Sequence, residues 1–263
     1  MRIAEGRRAL VTGAASGFGR DIAARLAAEG AAVALVDVDA DRVAVAAKEI
    51  GGSAVGIGAD VRSVPQMRAA VDEAVAAFGG LDTLVVSAGV FHIGPIEEID
   101  AQEWDRVLGI NLTGAFVTAQ AATPALRASG RGRIVTIGSD CSRRGFALQT
   151  AYVASKFGLV GLTESLAAEL AADGVTANCV APVGCPTTGM GKEVLAWKVG
   201  TRGRPAEEIM ADTARTNPLG RNATETDVTD AVLFLLSEHA GFLTGLTLDV
   251  DGGAHLGSVP GAR

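Results

Sequence analysis

The sequence predicts an α/β fold, a doubly wound parallel sheet of about seven strands flanked by helices. Short β-branched runs alternate with helical runs from residue 8 to residue 250, and strands separated by helices pair in parallel through crossovers. The strand runs are nearly continuously apolar, as burial on both faces requires. No linker rich in proline, glycine or serine divides the 263 residues, so a single domain over 1–263 is expected.

Arg8 to Thr12 reads as the first strand. Gly17 to Glu29 follows with Ile22, Leu26 and alanines at helical spacing, and Gly30 stops it. Ala31 to Val36 is a second buried strand, Asp41 to Ile50 a helix ended by Gly51 and Gly52, and Ser53 to Gly58 a third strand. Ser63 is placed as an N-cap, with Pro65 in the first turn and Gln66 as capping-box partner, for a helix to Phe78. Thr83 to Val86 is the fourth strand. Asp100 with Glu103 opens a helix to Ala122, with a break near Pro124, and Arg133 to Ile137 is the fifth strand. Ala151 to Ala172 is a long helix closed by Gly174, and Val175 to Val180 is the sixth strand. Thr224 with Asp227 opens a helix to Ser237, and Leu246 to Val250 is the seventh strand. Val183 to Asn217 interrupts the alternation. It is too long for a simple connection and is read as a substrate-binding lid over 183–217.

The formal charge is −7 and the basic residues are scattered. An acidic chain repels a phosphate backbone, so no nucleic-acid partner is expected. Met1 to Leu10 lacks the apolar run of a signal peptide, and no stretch of about 20 apolar residues offers a membrane span. Cys141, Cys179 and Cys185 are odd in number and without ladder or CxxC spacing. They read as free thiols in a reducing, cytoplasmic setting, and no metal site is expected.

Thr12 to Gly19 joins the first strand to the first helix, with Gly13, Ser16, Gly17, Phe18 and Gly19 in the turn. Glycines let the backbone approach a pyrophosphate, and the helix N-terminus offers free N–H groups to it. Asp37 ends the second strand. A carboxylate there accepts hydrogen bonds from a ribose diol and repels a 2′-phosphate, which favours NAD over NADP. Tyr152, the only tyrosine, lies four residues before Lys156, so both side chains share one helix face. A phenol is too weak an acid to serve as a base at neutral pH unless a nearby cation lowers its pKa. Ser139, just past the fifth strand, faces the crevice where such sheets bind ligands. Asn111 sits mid-helix, where asparagine is a poor helix former and often has another task.

Together these motifs resemble the short-chain dehydrogenase/reductase family, whose fold is a Rossmann fold. The resemblance rests on Thr12 to Gly19, Asp60-Val61, Ser87-Ala88-Gly89, Asn111, Ser139, Tyr152-x-x-x-Lys156, Pro182 to Thr187 and Val250 to Gly253. It implies hydride transfer between a nicotinamide and a secondary alcohol or ketone. Tyr152 would be the acid/base, Ser139 would orient the substrate oxygen, Lys156 would hold the nicotinamide ribose, and Asn111 would support a proton relay. Asp60 would contact the adenine and Thr187 the carboxamide, with further cofactor contacts at Val61, Ser87, Ala88, Gly89, Pro182 and Cys185. The family implies a homotetramer or homodimer in which the helices at 100–122 and 151–172 meet a partner subunit. Two positions depart from the family pattern. Ser87 stands where it has Asn, and Val183 stands where Gly follows the proline. A β-branched residue resists positive φ, so the backbone near the nicotinamide is expected to differ.

The small-molecule substrate is expected to be a polyol, a hydroxy acid or a similar compound. His92, Cys141, Arg143, Gln149, Met190 and Trp197 are candidates for its pocket, as are Phe91, Arg144 and Met210. Guanidinium groups at Arg143 and Arg144 would suit an anion. An epimerase or dehydratase that uses bound NAD, and a silent NAD-binding regulator, are the alternatives.

Overall fold

In the computed structural model, which describes residues 3–256, seven strands form one sheet. They are β1 (Arg8–Thr12), β2 (Ala32–Asp37), β3 (Ala54–Gly58), β4 (Thr83–Val86), β5 (Arg133–Ile137), β6 (Thr176–Pro182) and β7 (Thr247–Val250). The order is β3-β2-β1-β4-β5-β6-β7, and every pair is parallel. The order reverses between β1 and β4, which opens a crevice at their carboxyl ends.

Side chains alternate across each strand, so the two sheet faces build two cores. Val11, Val33 and Leu35 pack under helices α1 (Gly17–Ala28), α2 (Ala40–Ile50) and α9 (Glu225–Leu236). Leu10, Leu84 and Ile134 face α3 (Val64–Phe78), α5 (Gly114–Ala128) and α6 (Thr150–Leu170). Strands covered on both faces must be apolar throughout, which is why the runs lack polar alternation.

The helix starts follow their caps. Asp100 accepts from the Glu103 N–H at 2.7 Å, and Thr224 and Asp227 form a reciprocal capping box. At Ser63 only half of the expected box forms. The Ser63 hydroxyl caps Gln66, but the Gln66 amide oxygen takes the Asp60 N–H at 2.8 Å instead.

The expected helix over 100–122 is in fact α4 (Ala101–Leu108), a π-helical turn (Gly109–Thr113) and α5. Pro124 does not break it, and α5 runs on to Ala128. Pro124 and Gln120 both lie on the exposed side, where water can satisfy the Gln120 carbonyl that proline cannot. The stretch 183–217 is not a further crossover. It carries α7 (Gly189–Arg202), capped by Thr188, and α8 (Ala206–Thr216) before the chain enters α9. Among the described residues no helix is long and apolar enough to cross a membrane.

Candidate active site

A cleft of about 1400 Å³ opens at the carboxyl ends of the strands. Its floor is the turn after β1. Gly13 adopts φ +67°, and a Cβ there would sit 2.7 Å from the Ala88 Cα. Gly19 presses its Cα against the Gly13 carbonyl with no room for a side chain. The Ser87 and Ala88 N–H groups donate to the Thr12 hydroxyl at 3.1 and 3.3 Å, which fixes the loop after β4 to the end of β1. Ser87 therefore does its local work through its backbone. Ser16, Gly17 and Phe18 line the cleft at the start of α1, and Ser16 makes no side-chain cap, so the first-turn N–H groups stay available to an anion.

Asp37 also lines the cleft, held by the Ala15 and Asp39 N–H groups, each at 3.1 Å. Farther along, the Asp60 carboxylate is gripped by the Arg62 guanidinium at 2.6 Å, which holds its carboxyl below the usual range. Val61, Ala88, Gly89, Pro182 and Cys185 line the same wall. The Val183 N–H donates to the Val250 carbonyl at 3.1 Å. Leu148 alone, among the described non-glycine residues, has positive φ, so Val183 avoids that region, as a β-branched residue should.

Tyr152, Ser139 and Lys156 meet deeper in the cleft. The Phe91 ring stacks edge-on against Tyr152 with centroids 4.7 Å apart. The Lys156 ammonium lies 5.5 Å from the Tyr152 ring and donates to the Ile137 carbonyl at 2.8 Å. The Ser139 hydroxyl donates to Asp140 at 2.9 Å and accepts from the Cys141 N–H. Burial dominates here. It pushes the Tyr152 phenol well above its ordinary pKa, opposed by the Ser139 hydroxyl, and lowers Lys156 to about 8. The lowering of the phenol expected from the lysine is not found: burial raises it, and the Ser139 hydroxyl is the group that opposes the rise. Beside them Gln149 accepts from the buried Cys141 thiol, which burial pushes up to about 12.

Asn111 lies behind the cleft, in the π-helical turn, and is 1 % exposed. Its amide brackets the backbone of Val90, accepting from the N–H at 2.8 Å and donating to the carbonyl at 2.9 Å. Its second N–H goes to the Ser155 hydroxyl at 3.0 Å. Both amide protons are committed to protein.

Three other expected residues do not line the cleft. Arg143 turns away to the Thr247 carbonyl at 2.6 Å and pairs with Asp249. His92 bonds Glu103 at 2.9 Å. The Thr187 hydroxyl donates to Glu225 at 2.7 Å. Arg144, Met190, Trp197 and Met210 do line it, together with residues the sequence reading left out: Leu148, Val194, Lys198 and Arg202. The only sequence signal for the last three is their spacing of four, which needs a helix at 189–202 to have meaning.

A family model described as "Enoyl-(Acyl carrier protein) reductase" matches residues 13–255. The chain is 38 % identical over 246 residues to 2-(S)-hydroxypropyl-CoM dehydrogenase 3 of Xanthobacter autotrophicus, covering 92 % of this chain and 94 % of that protein. It is 38 % identical over 252 residues to D-threitol dehydrogenase of Mycolicibacterium smegmatis, covering 95 % and 93 %. Among solved structures, the 3-ketoacyl-(acyl-carrier-protein) reductase of Brucella melitensis, complexed with NADH, superposes with a TM-score of 0.86 at 32 % identity, covering 95 % and 99 %.

Proposed function

The chain belongs to the short-chain dehydrogenase/reductase family of oxidoreductases, and on that premise we propose that it is an NAD-dependent dehydrogenase of a secondary alcohol, working reversibly on the ketone. The observation that carries this is the shared cleft. The glycine turn, Asp37, Ser139, Tyr152 and Lys156 all face into it.

The residues fit a dinucleotide. Gly13 and Gly19 let the turn after β1 pack tightly on the Ala88 and Gly13 backbone, where a Cβ would clash, and the first turn of α1 supplies N–H donors to the cleft. Asp37 offers a carboxylate where a ribose diol belongs and a 2′-phosphate would be repelled, which supports NAD over NADP. A nicotinamide bound there supplies the hydride acceptor or donor. Asp60, Val61, Ser87, Ala88, Gly89, Pro182 and Cys185 are the remaining cofactor wall, and a carboxamide contact by Thr187 would require its hydroxyl to leave Glu225.

Tyr152 acts as the acid/base. In ketone reduction its buried phenol holds a proton to give to the carbonyl oxygen. In oxidation it takes the alcohol proton, aided by the Lys156 ammonium. Ser139 donates to the substrate oxygen as charge develops, a preorganised contact worth most where water is excluded. Asn111 is a positioning residue. It holds Val90 and, through Ser155, the turn of α6 that carries Lys156.

We place residues 183–217 as the substrate segment of a single domain. Phe116 on α5 and Phe157 on α6 are about half exposed, at 47 % and 45 %, and support a homodimer or homotetramer built on those helices. The three cysteines are free, which supports a cytoplasmic setting.

The test is NADH formation over a panel of secondary alcohols, polyols and hydroxy acids, with NAD+ and NADP+ in parallel. Turnover that prefers NAD+ and falls by at least about 10³-fold in Tyr152→Phe is the expected result. Full activity in the variant would remove the assignment.

A further inference from the structure

The substrate half of the cleft carries more positive charge than its surroundings neutralise. Three cations line it: Arg144 on the loop before α6, and Lys198 and Arg202 on α7. The carboxylates nearby are accounted for one by one. Asp212 is tied to Arg204 and Arg215. Glu193 lines the cleft and forms no ion pair within 4.0 Å among the described residues, because Arg106 is bonded to Glu103. Asp140 is the other carboxylate. It lies 3.5 Å from Arg144 and already accepts from the Ser139 hydroxyl. Neither Lys198 nor Arg202 forms an ion pair within 4.0 Å of a carboxylate among the described residues. Two carboxylates, Asp140 and Glu193, therefore face three cations, in a chain whose formal charge is −7.

The cost of this arrangement is visible at Lys198. Burial, then the neighbouring Arg202, lowers its pKa, and Asp140 only partly restores it. The ammonium is half-buried beside an exposed guanidinium, in a wall that also holds Val194 and Leu195, and an anion placed between the two would favour the charged form of both. Spacing adds a direction. Met190, Val194, Lys198 and Arg202 are successive i,i+4 positions of α7, and all four line the cleft. They form one stripe about 18 Å long, apolar at its start and cationic at its end. The apolar end follows directly on the Pro182–Thr188 wall.

We propose that the substrate is an anionic secondary alcohol or ketone, whose carboxylate, sulfonate or phosphate is bound by Lys198, Arg202 and Arg144. A short apolar spacer along Met190 and Val194 separates that anion from the reacting carbon at Ser139 and Tyr152. The anion supplies the missing counter-charge, and the stripe sets its distance from the reaction. This names the substrate class for the dehydrogenase reading and rests on it, but it is tested by binding rather than by turnover.

The probes are 4-oxopentanoate and its uncharged twin 4-oxopentanamide, titrated calorimetrically into the full-length protein saturated with NAD+, with which a ketone cannot exchange hydride, and pentane-1-sulfonate is a second anion. The expected result is that the two anions bind at least tenfold more tightly than the amide, and that Lys198→Met with Arg202→Met removes the preference. NADH affinity, read by fluorescence, stays unchanged in that variant, which shows that it is folded. Raising the salt from 50 to 300 mM weakens the anions and leaves the amide unaffected. Equal binding of acid and amide, or a preference that survives in the double variant, overturns the proposal. Turnover plays no part in either outcome, so loss of the dehydrogenase reading would be seen separately, in Tyr152→Phe.

Discussion

At Lys156 the ammonium keeps 5 % of its surface, donates to the Ile137 carbonyl and is brought down to about pH 8 by burial. Unfolded, the same side chain titrates near 10.4. Below pH 8 both states carry the proton and burial of the charge costs stability. Between pH 8 and about 10.4 the unfolded chain holds the extra proton, so this cost is relieved as pH rises. The stability of the protein relative to Lys156→Met is therefore expected to improve from pH 7 to pH 10 by on the order of 2 kcal/mol. Guanidinium denaturation of both at the two pH values measures it, groups common to both cancel, and a constant gap would sink the idea. The lysine beside Tyr152 is thus held at the expense of stability. Tyr152 and Lys156 were legible in the sequence because a separation of four on a strong helix dictates a shared face. Arg143, His92 and Thr187 were not. Each is turned away from the cleft by a partner remote in sequence: Thr247, Glu103 and Glu225.

Among the elements, the π-helical turn at 109–113 is where local preference yields to tertiary bonding. Asparagine in a helix interior signalled a special role, but the form of the distortion depends on Val90 and Ser155, which no periodicity brings to mind. Asn111→Ala would leave the Val90 N–H and carbonyl without their side-chain partner. It is expected to cost about 1–3 kcal/mol by urea denaturation and to lower kcat at least tenfold. NADH affinity should change much less, because the glycine turn is held independently by Thr12. Retention of full kcat would show that Val90 needs no such clamp. Helices α7 and α8 went unread for a related reason. In α7 the apolar residues cluster at Val194–Trp197 without a helical period, and Gly189, Gly191 and Gly200 argue against a helix. The strands were the easier reading, because burial on both faces leaves an unbroken apolar signature.

For the molecule as a whole, the alternation of elements made the parallel sheet legible, while the strand order had to come from the structure. At the amino ends of the central strands, Asp82 is fully buried and takes Arg8 at 3.2 Å and Arg131 at 2.9 Å, with Arg7 at 3.9 Å. Asp82→Ala strands these guanidinium groups beside a buried void. It should destabilise the fold by about 3–5 kcal/mol in chemical denaturation, and a loss under 1 kcal/mol would mean that water takes the carboxylate's place. The all-parallel sheet has a consequence for how the chain comes together. With no hairpins, each pairing must close a long loop before it returns any stabilisation, and the central one sets Ala9 against Thr83. Because Gly13 rests on Ala88, a nascent chain that has emerged only through β3 has the glycine turn held on one side, by Val36 and Asp37, and lacks the other. Capture of a dinucleotide thus becomes a late event in synthesis, reserved for chains that have already joined their two halves.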